Sequence, residues 1–243
     1  MNQAAAITPA RYASPRLPGK PLLDRTGMPM ICHVVEQTRR ARGISAVIVA
    51  TDDQRIADAV NAHGGTAVMT RDDHPNGTSR VAEVAAGLPH GIDIIVNVQG
   101  DEPEIDPGLI DRLIERMQNG DEPVVTIASP FADDEDPTNP NIVKIVLDQR
   151  GRALYFSRSL IPFPRGETAL PPLKHLGIYA YRRAFLERYI RLPATPAEQT
   201  EQLEQLRVLE HGHAIAAVVA EAHHHGIDTA EQYEAFVTRH AAG

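Results

Sequence analysis

The chain has 243 residues, of which 42% are hydrophobic and 23% charged, and its formal net charge is -8. This length and composition predict a folded protein with a full core, and they argue against disorder, collagen and coiled coil. The acidic balance argues against bulk binding of nucleic acid or of an anionic membrane surface. Any bound anion must therefore be held by a local cluster of cations.

A single cysteine, Cys32, excludes an intrachain disulfide and any metal site made of several cysteines. The first residues contain neither a basic segment nor a long apolar segment of the kind that targets a chain for export. No apolar run approaches the length of about 18 residues that a membrane span needs. We expect a soluble cytoplasmic protein.

Short apolar runs, which are typical of buried strands, alternate along the chain with segments of helical spacing. The predicted strands are residues 4–8, 46–51, 66–69, 93–98, 124–128, 142–147, 153–156, 175–181 and 214–219. The predicted helices contain apolar sets that begin at Met30, Ile56, Val81, Leu109 and Leu203. This alternation predicts an α/β fold with a mostly parallel sheet and helices on both faces.

Two segments depart from simple alternation. Residues 142–156 predict a β-hairpin around the turn DQRG, and the Pro-rich segment 161–175 predicts irregular structure. No repeat, low-complexity tract or linker divides the chain. We therefore predict one domain over residues 1–243, with an inserted antiparallel subregion.

The motif ARYASPRLPGKP, residues 10–21, places Arg11, Arg16 and Lys20 directly after the first predicted strand. Ligands of an open parallel sheet bind at the carboxyl ends of its strands, so these cations would lie where the loops gather. The prolines and Gly19 suit a chain that bends around phosphates. Both the GxGxxG fingerprint and the Walker A loop are excluded, and a solvated basic loop is the alternative interpretation.

Acidic residues follow a strand in VNVQGDEP, residues 96–103, where Asp101 and Glu102 come after the flexible Gly100. Carboxylates placed opposite a phosphate-binding loop are suited to Mg²⁺, which prefers one or two carboxylates together with phosphate oxygens. The alternative is a turn in which Asp101 caps the next helix.

A further carboxylate, Asp228, stands just before a helix start, because Thr229 and Gln232 have the spacing of a capping box. It is either a partner of the helix dipole or a second metal ligand, and the spacing leaves both open. The three histidines at 223–225 are interpreted as a polar surface loop, since three adjacent histidines rarely share one metal.

Nine motifs in collinear order resemble the 3-deoxy-manno-octulosonate (Kdo) cytidylyltransferases, within the wider family of CMP-sugar-acid synthetases. They are PARYASPRLPGKPL, IVATDD, MTRDDHPNGTSRVAEV, VNVQGDEP, NPNIVKIVLD, ALYFSRSLIP, KHLGIYAYR, LEQLRVLEHG and GIDT. The resemblance implies a Rossmann-like nucleotidyltransferase fold, a three-layer sandwich. It also implies a Mg²⁺-dependent enzyme that transfers CMP from CTP to the anomeric hydroxyl of a 2-keto sugar acid and releases pyrophosphate. The family commonly forms homodimers, and the resemblance implies a dimerisation and substrate subregion at residues 140–212.

The resemblance also implies roles for individual residues. Arg11, Arg16 and Lys20 would hold the triphosphate, and Arg16, Lys20 and Asp101 would be catalytic. Asp101 and Asp228 would hold the metal. Arg80 and the backbone near Thr78 would read the cytosine, with Gln99 between the base and sugar sites. The residues implied for the sugar acid are Arg158, His175, Tyr179, Glu204 and Gln205. From the pattern alone, Tyr179 is a half-buried strand residue and Glu204 part of an exposed helix face.

Departures from the family's usual residues leave the acceptor open. Pro15 replaces Ser or Thr, Asn76 and Ser79 alter the SGT-acid-R segment, and HHHGIDTAEQ replaces a loop that usually ends GVDTPED. Kdo is the expected acceptor, because the residues implied for a sugar acid are present. Another nonulosonic acid and phosphonoformate are alternatives, and a CTP-binding module that has lost catalysis is a hypothesis of a different class.

Overall fold

The computed structural model describes residues 3–13, 16–166, 170–222 and 226–242. Contacts divide the chain into two compact units, one formed by Met1–Asp111 with His223–Gly243 and the other by Arg112–Ala222. The predicted subregion 140–212 lies inside the second unit, whereas a single domain over the whole chain stays a prediction. No helix in the described ranges has the length and apolar character needed to cross a membrane, and the cytoplasmic location stays a prediction.

The first unit contains a parallel sheet of four strands in the order β3-β2-β1-β4. The strands are β1 (Gln3–Ala10), β2 (Ile44–Thr51), β3 (Ala67–Met69) and β4 (Ile92–Asn97). They alternate with α1 (Met30–Arg39), α2 (Gln54–Ala62) and α3 (Gly77–Ala86), and α8 (Ala230–Ala242) ends the chain. Helix α4 (Pro107–Gln118) follows β4.

Strand β1 forms although its alanines have low β-propensity. It pairs with β2 on one side and β4 on the other, and both α1 and α3 contact it. Ala4, Ala5, Ala6 and Ile7 are completely buried. Tertiary burial therefore outweighs the weak local preference, and the loop after β1 starts at the middle of a four-stranded sheet.

The second unit is mixed. Strand β5 (Val124–Pro130) pairs in parallel with β9 (Ile215–Val219) and antiparallel with β8 (Leu173–Arg182). The predicted hairpin is confirmed as β6 (Lys144–Leu147) and β7 (Ala153–Ser157). Short helices α5 (Arg183–Tyr189), α6 (Pro196–Glu201) and α7 (Leu206–Glu210) complete the unit. The predicted α/β class, with parallel strands and an antiparallel subregion, is confirmed.

Three details of the sequence prediction are wrong. The helix predicted from the apolar set at Leu203 begins only at Leu206, because Gln202 adopts a left-handed conformation (φ 54°) and ends α6 instead. The segment 161–175, predicted to be irregular, joins the sheet from Leu173, where pairing with β5 and β6 supplies main-chain partners. The cationic motif, whose prolines and Gly19 predicted only a bending chain, contains a 3₁₀ turn at Lys20–Leu22, where a proline fits the first turn.

Candidate nucleotide and metal site

The cationic loop after β1 is shaped by Gly19. This glycine has φ +68°, and its N–H donates to the carbonyl of Tyr12 over 3.3 Å. A Cβ at this position would lie 3.2 Å from the Tyr12 hydroxyl, so any larger residue would be both crowded and strained. The 3₁₀ turn that follows begins at Lys20. The departure at Pro15 lies outside the described residues.

Lys20 joins the predicted phosphate loop to the predicted metal ligands. Its ammonium donates to Asp101 Oδ2 (3.1 Å), to Asp228 Oδ1 (3.0 Å) and to the carbonyl of Ile227 (2.9 Å). The Lys20 side chain is only 13% exposed. Arg16 reaches the same cluster, with Nη2 2.8 Å from Asp228 Oδ2, although its side chain is 68% exposed. The structure thus brings together four charged residues from three segments that lie far apart in sequence.

The two aspartates are fixed by close backbone packing. A Cβ at Gly100 would lie 2.9 Å from the carbonyl of Pro9, so the chain before Asp101 can approach β1 only because residue 100 is glycine. The N–H of Ile227 donates to the carbonyl of Asp101 (2.8 Å), which ties the two carboxylate-bearing segments to each other. The interpretation of Asp101 as a helix cap is wrong, because the next helix begins at Pro107.

Asp228 is positioned by the start of α8. Thr229 and Gln232 form the predicted capping box: the Thr229 N–H donates to Gln232 Oε1 (3.0 Å), and the Gln232 N–H donates to Thr229 Oγ1 (3.3 Å). The N–H of Asp228 also donates to Gln232 Oε1 (2.7 Å). Ile227 belongs to an apolar cluster with Met30, Tyr233 and Phe236, against which Leu17 and Leu23 of the cationic loop pack. One small core therefore supports both the loop and Asp228.

Glu102 adds a third acidic group next to this pair. Burial, reinforced by the charges of Asp101 and Asp228, raises the pKa of Glu102 to about 8, against a smaller opposing effect of Lys20. A Cβ on Gly226 would come within 3.2 Å of Glu102 Oε1, so a larger residue there would crowd this carboxylate. With a pKa of about 8, Glu102 is mostly protonated near neutral pH, and the two aspartates are matched by the positive charges of Lys20 and Arg16.

The donor set fits magnesium better than a transition metal. Two carboxylates converge on one ammonium, and within the described ranges no group of three or more His, Cys, Asp or Glu side chains is arranged to hold a metal ion. Mg²⁺ typically takes one or two carboxylates and completes its octahedron with water and substrate phosphates. Asp101 and Asp228 therefore suit a metal that arrives with a nucleotide. Residues 223–225 lie outside the described part of the chain.

The start of α3 borders a cavity that Lys20 and Asp101 also line. Asn76 caps the helix by accepting the N–H of Ser79 (2.8 Å), so this departure from the family pattern keeps a capping side chain. Arg80, only 4% exposed, pairs with Asp52 (2.7 Å) and donates to Thr70 Oγ1. The Asp52–Arg80 pair was not predicted, although both residues lie in motifs that the sequence singles out.

His74 is a further residue of this region that sequence reasoning missed. Its side chain is 3% exposed, with Nδ1 3.0 Å from Ser79 Oγ and Nε2 in contact with the Glu83 carboxylate. This contact, opposed by burial, lowers the pKa of Glu83. Its only sequence signal was its place in MTRDDHPNGTSR.

One cavity of about 280 Å³ gathers most of the predicted nucleotide and metal residues. Those that line it are Arg11, Arg16, Lys20, Arg80, Gln99, Asp101 and Asp228. Gln99 Nε2 donates to Asn97 Oδ1 (3.1 Å) at the end of β4, which orients its amide. Thr78 is buried in α3 next to the lining residue Gly77. The cavity lining is more polar than apolar and includes the cations Arg11, Arg16, Lys20 and Arg80, as an anionic ligand requires.

The residues predicted for the acceptor all belong to the second unit. His175, Tyr179 and Tyr181 follow one another along β8, with ring centroids 5.4 Å and 5.7 Å apart. The charge of Glu204 contributes to raising the pKa of Tyr179, although burial is the larger cause. Gln205 is 8% exposed at the start of α7. Tyr179 is a half-buried strand residue, as its pattern indicated, but Glu204 lies outside the helix that was predicted to contain it.

His175 is held as a neutral imidazole. Its Nε2 lies 2.9 Å from Thr126 Oγ1, and because that hydroxyl donates to the carbonyl of Ile178 (2.9 Å), His175 is the donor. Burial lowers the pKa of His175 from its ordinary 6.5 to about 3. The proton therefore sits on Nε2, which leaves Nδ1 as an acceptor.

Loss of stability in acid should be partly due to His175. The unfolded chain binds this proton near pH 6.5 and the folded chain only near pH 3, so stability present above pH 6.5 is lost as the pH falls. As the pH falls, the free energy of unfolding of the wild type should decrease more steeply than that of His175→Gln. The two slopes should differ by up to about 1.4 kcal/mol per pH unit. Urea titrations between pH 4.5 and 7 measure this difference. The exposed His63, as His63→Gln, is the control, and parallel slopes for wild type and His175→Gln would contradict the expectation.

The sequence of this chain is similar to those of known cytidylyltransferases. The sequence model of a family described as Cytidylyltransferase matches residues 5–215. A 3-deoxy-manno-octulosonate cytidylyltransferase of Syntrophobacter fumaroxidans is 51% identical over 235 residues, covering 95% of this chain and 94% of that protein. The enzyme of the same name from Tolumonas auensis is 49% identical, covering 94% of this chain and 93% of its own.

A solved structure extends the comparison to the fold. It is described as CMP:2-keto-3-deoxy-manno-octonic acid synthetase complexed with CTP, and it is 45% identical to this chain. The TM-score is 0.94, with 99% of each chain covered. The prediction of a nucleotidyltransferase-type α/β fold is thereby confirmed.

Proposed function

The chain belongs to the 3-deoxy-manno-octulosonate cytidylyltransferases and is a nucleotidyltransferase, and on that premise we propose that it transfers CMP from CTP to Kdo. The anomeric hydroxyl oxygen of the acceptor bonds to the α-phosphorus, and the bond from that phosphorus to the oxygen bridging to the β-phosphate breaks. Pyrophosphate leaves, and the hydroxyl proton passes to solvent. Such a reaction needs positioning and charge neutralisation more than a protein nucleophile.

The observation that carries this proposal is the contact of Lys20 with both aspartates. The three donors of the Lys20 ammonium bind Asp101 (3.1 Å), Asp228 (3.0 Å) and the carbonyl of Ile227 (2.9 Å). A metal bound to the two carboxylates would release donors for phosphate oxygens while the ammonium stays next to the metal ligands. Arg11, Arg16 and Lys20 then bind the triphosphate, with Lys20 neutralising charge that develops on the leaving pyrophosphate. Arg16, being largely exposed, exchanges Asp228 for phosphate.

Magnesium is the metal we propose at Asp101 and Asp228. Bound there, it would neutralise phosphate charge and polarise the reacting phosphoryl group. Burial and then the charges of Asp101 and Asp228 raise the pKa of Glu102, and a cation bound to the two aspartates would offset their negative charge. On the base side, Arg80 and the backbone near Thr78 contact the cytosine, and Gln99 lies between the base and the acceptor.

On the acceptor side, we assign the carboxylate of the sugar acid to Arg158, whose fork of donors suits bidentate binding. His175 Nδ1 can accept a hydrogen bond from a sugar hydroxyl, and Tyr179, Glu204 and Gln205 supply further hydroxyl contacts. These residues are chemically suited to a polyhydroxy acid. They are less suited to phosphonoformate, which has no sugar hydroxyl.

An assay of pyrophosphate release with CTP and a panel of acids tests the activity. We expect release with Kdo and Mg²⁺, and little without added Mg²⁺ after treatment with a chelator. Turnover with another nonulosonic acid or with phosphonoformate, and not with Kdo, would show that Kdo is not the acceptor. The absence of release with every acid, together with CTP binding in calorimetry, would support a binding module without catalysis.

A homodimer is the assembly we propose. The second unit exposes large apolar side chains on β7 and in the Pro-rich segment, with Phe163 80%, Leu170 64% and Leu154 61% exposed. Large apolar side chains that stay exposed favour association when they lie together, and a second copy of the chain is the partner we expect. Light scattering should give twice the chain mass, and Phe163→Ser should shift the population toward monomer. A wild-type monomer at micromolar concentration would exclude this assembly.

A further inference from the structure

Lys144 is an unusual residue to find inside a strand. It lies in β6 with no solvent exposure and is among the largest fully buried side chains of the described chain. Burial, with a smaller effect of Arg158, lowers its pKa. No carboxylate in the described ranges forms an ion pair with it. A buried ammonium costs free energy unless its donors are satisfied, so the contacts of this group have to explain its presence.

All three donors of the Lys144 ammonium bind main-chain carbonyls. Nζ donates to the carbonyls of Asn139 (3.0 Å) and Ile142 (2.6 Å), and to that of Arg158. The first two belong to the turn at residues 139–142, and the third lies just after β7. One buried ammonium therefore joins this turn to the backbone of Arg158.

The Arg158 side chain binds the same turn that Lys144 binds. Its Nη1 donates to the carbonyl of Pro140 (3.0 Å), inside the turn that Lys144 holds, and its Nε donates to the carbonyl of Glu201 (2.7 Å). The carboxylate of Glu201 also accepts the N–H of Arg158 (2.9 Å). The backbone of Arg158 is thus held by Lys144 and Glu201. Its guanidinium is held by the carbonyls of Pro140 and Glu201.

These contacts leave a defined part of the guanidinium available. Arginine has five N–H donors. The described contacts use Nε, one donor of Nη1, and one donor of Nη2 through the carbonyl of Gln202 at 3.4 Å. One donor on each terminal nitrogen remains, which is enough for one hydrogen bond to each oxygen of a carboxylate.

We propose that Lys144 is a positioning residue for the acceptor: it fixes the turn and the backbone that hold Arg158, so that the two remaining N–H donors are preset for the acceptor carboxylate. This inference rests on the proposed function, because it assigns the acceptor carboxylate to Arg158. It adds a residue that touches neither substrate but determines how tightly the acid is held. Lys144 would then affect the binding of the acceptor acid and not the binding of CTP.

Lys144→Met tests the inference, because methionine keeps an unbranched chain and removes all three donors. We expect the KM for Kdo to rise by about 10- to 100-fold, with the KM for CTP and the CTP affinity in calorimetry within twofold of wild type. Lys144→Gln, which keeps part of the donor set, should give a smaller rise, and it serves as the test if the methionine variant does not fold. Lys174→Met is the matched control, because Lys174 is a buried strand lysine that pairs with Glu135 (2.6 Å) and is not bonded to Arg158. It should lower stability and leave the KM for Kdo within about twofold.

A double-mutant cycle with Arg158→Ala separates positioning from general destabilisation. If Lys144 acts through Arg158, Lys144→Met should raise the KM for Kdo little further in the Arg158→Ala background. Fully additive effects, or an unchanged KM for Kdo in a folded Lys144 variant, would overturn the inference and leave the proposed function intact. An unchanged KM for Kdo in Arg158→Ala would overturn the inference together with the carboxylate assignment. Absence of turnover in the wild type would instead reject the proposed function itself.

Discussion

Asp101→Asn is expected to lower kcat for pyrophosphate release by about 10²- to 10³-fold while leaving the fold intact. Asparagine has nearly the same volume but no charge, so it weakens metal binding without opening a cavity. Lys20 keeps two of its three acceptors, Asp228 and the carbonyl of Ile227. Repulsion of Glu102 is also relieved, because Asp101 contributes to raising the Glu102 pKa. The unfolding temperature should therefore change little.

The measurement is a Mg²⁺ titration of initial rates for wild type and Asp101→Asn. The variant should need a higher Mg²⁺ concentration and should stay slow at saturation. Asp93→Asn, an exposed position on the strand that leads to Asp101, is the matched control and should behave as wild type. A variant that reaches the wild-type rate at the wild-type Mg²⁺ concentration would exclude Asp101 as a metal ligand.

The nucleotide side could be predicted from sequence because its residues follow strands. Arg11 and Asp101 each come soon after a predicted strand, and parallel strands place such residues at one edge. What the sequence could not show is that β1 and β4 are direct neighbours, with Ile7 opposite Asn97. Nor could spacing decide the role of Asp228. The main-chain bond between Ile227 and Asp101 decides its position, and no local pattern predicts such a contact.

The acceptor side was less accessible to sequence reasoning because tertiary contacts override local preference there. The spacing of Leu203 and the apolar residues after it is helical, yet Gln202 adopts a left-handed conformation and α7 starts later. Glu204 and Gln205 thereby leave the helix that the pattern implied.

The role of Lys144 could not be predicted either, since a lysine in a strand usually indicates a solvent-facing position. Only its three carbonyl contacts show what it holds.

Lys20→Met should reduce kcat by about 10²- to 10³-fold, with a much smaller effect on CTP affinity. The neighbouring arginines still attract the triphosphate, whereas the charge that develops on the leaving pyrophosphate loses its closest donor. Without ligand, Asp101 and Asp228 lose their shared ammonium, so the unfolding temperature should fall. Mg²⁺ alone should then raise that temperature more in the variant than in the wild type, because the metal replaces the missing positive charge.

Single-turnover rates, CTP calorimetry and thermal unfolding with and without Mg²⁺ test these expectations together. Arg42→Met is the control, since its guanidinium is 91% exposed and pairs with Asp111 at the surface. It should change none of the three measurements appreciably. If Lys20→Met lost CTP affinity and kcat in equal proportion, Lys20 would bind ground state and transition state alike. If kcat were unchanged, the contact between Lys20 and the aspartates would be structural, and charge stabilisation would have to come from Arg16.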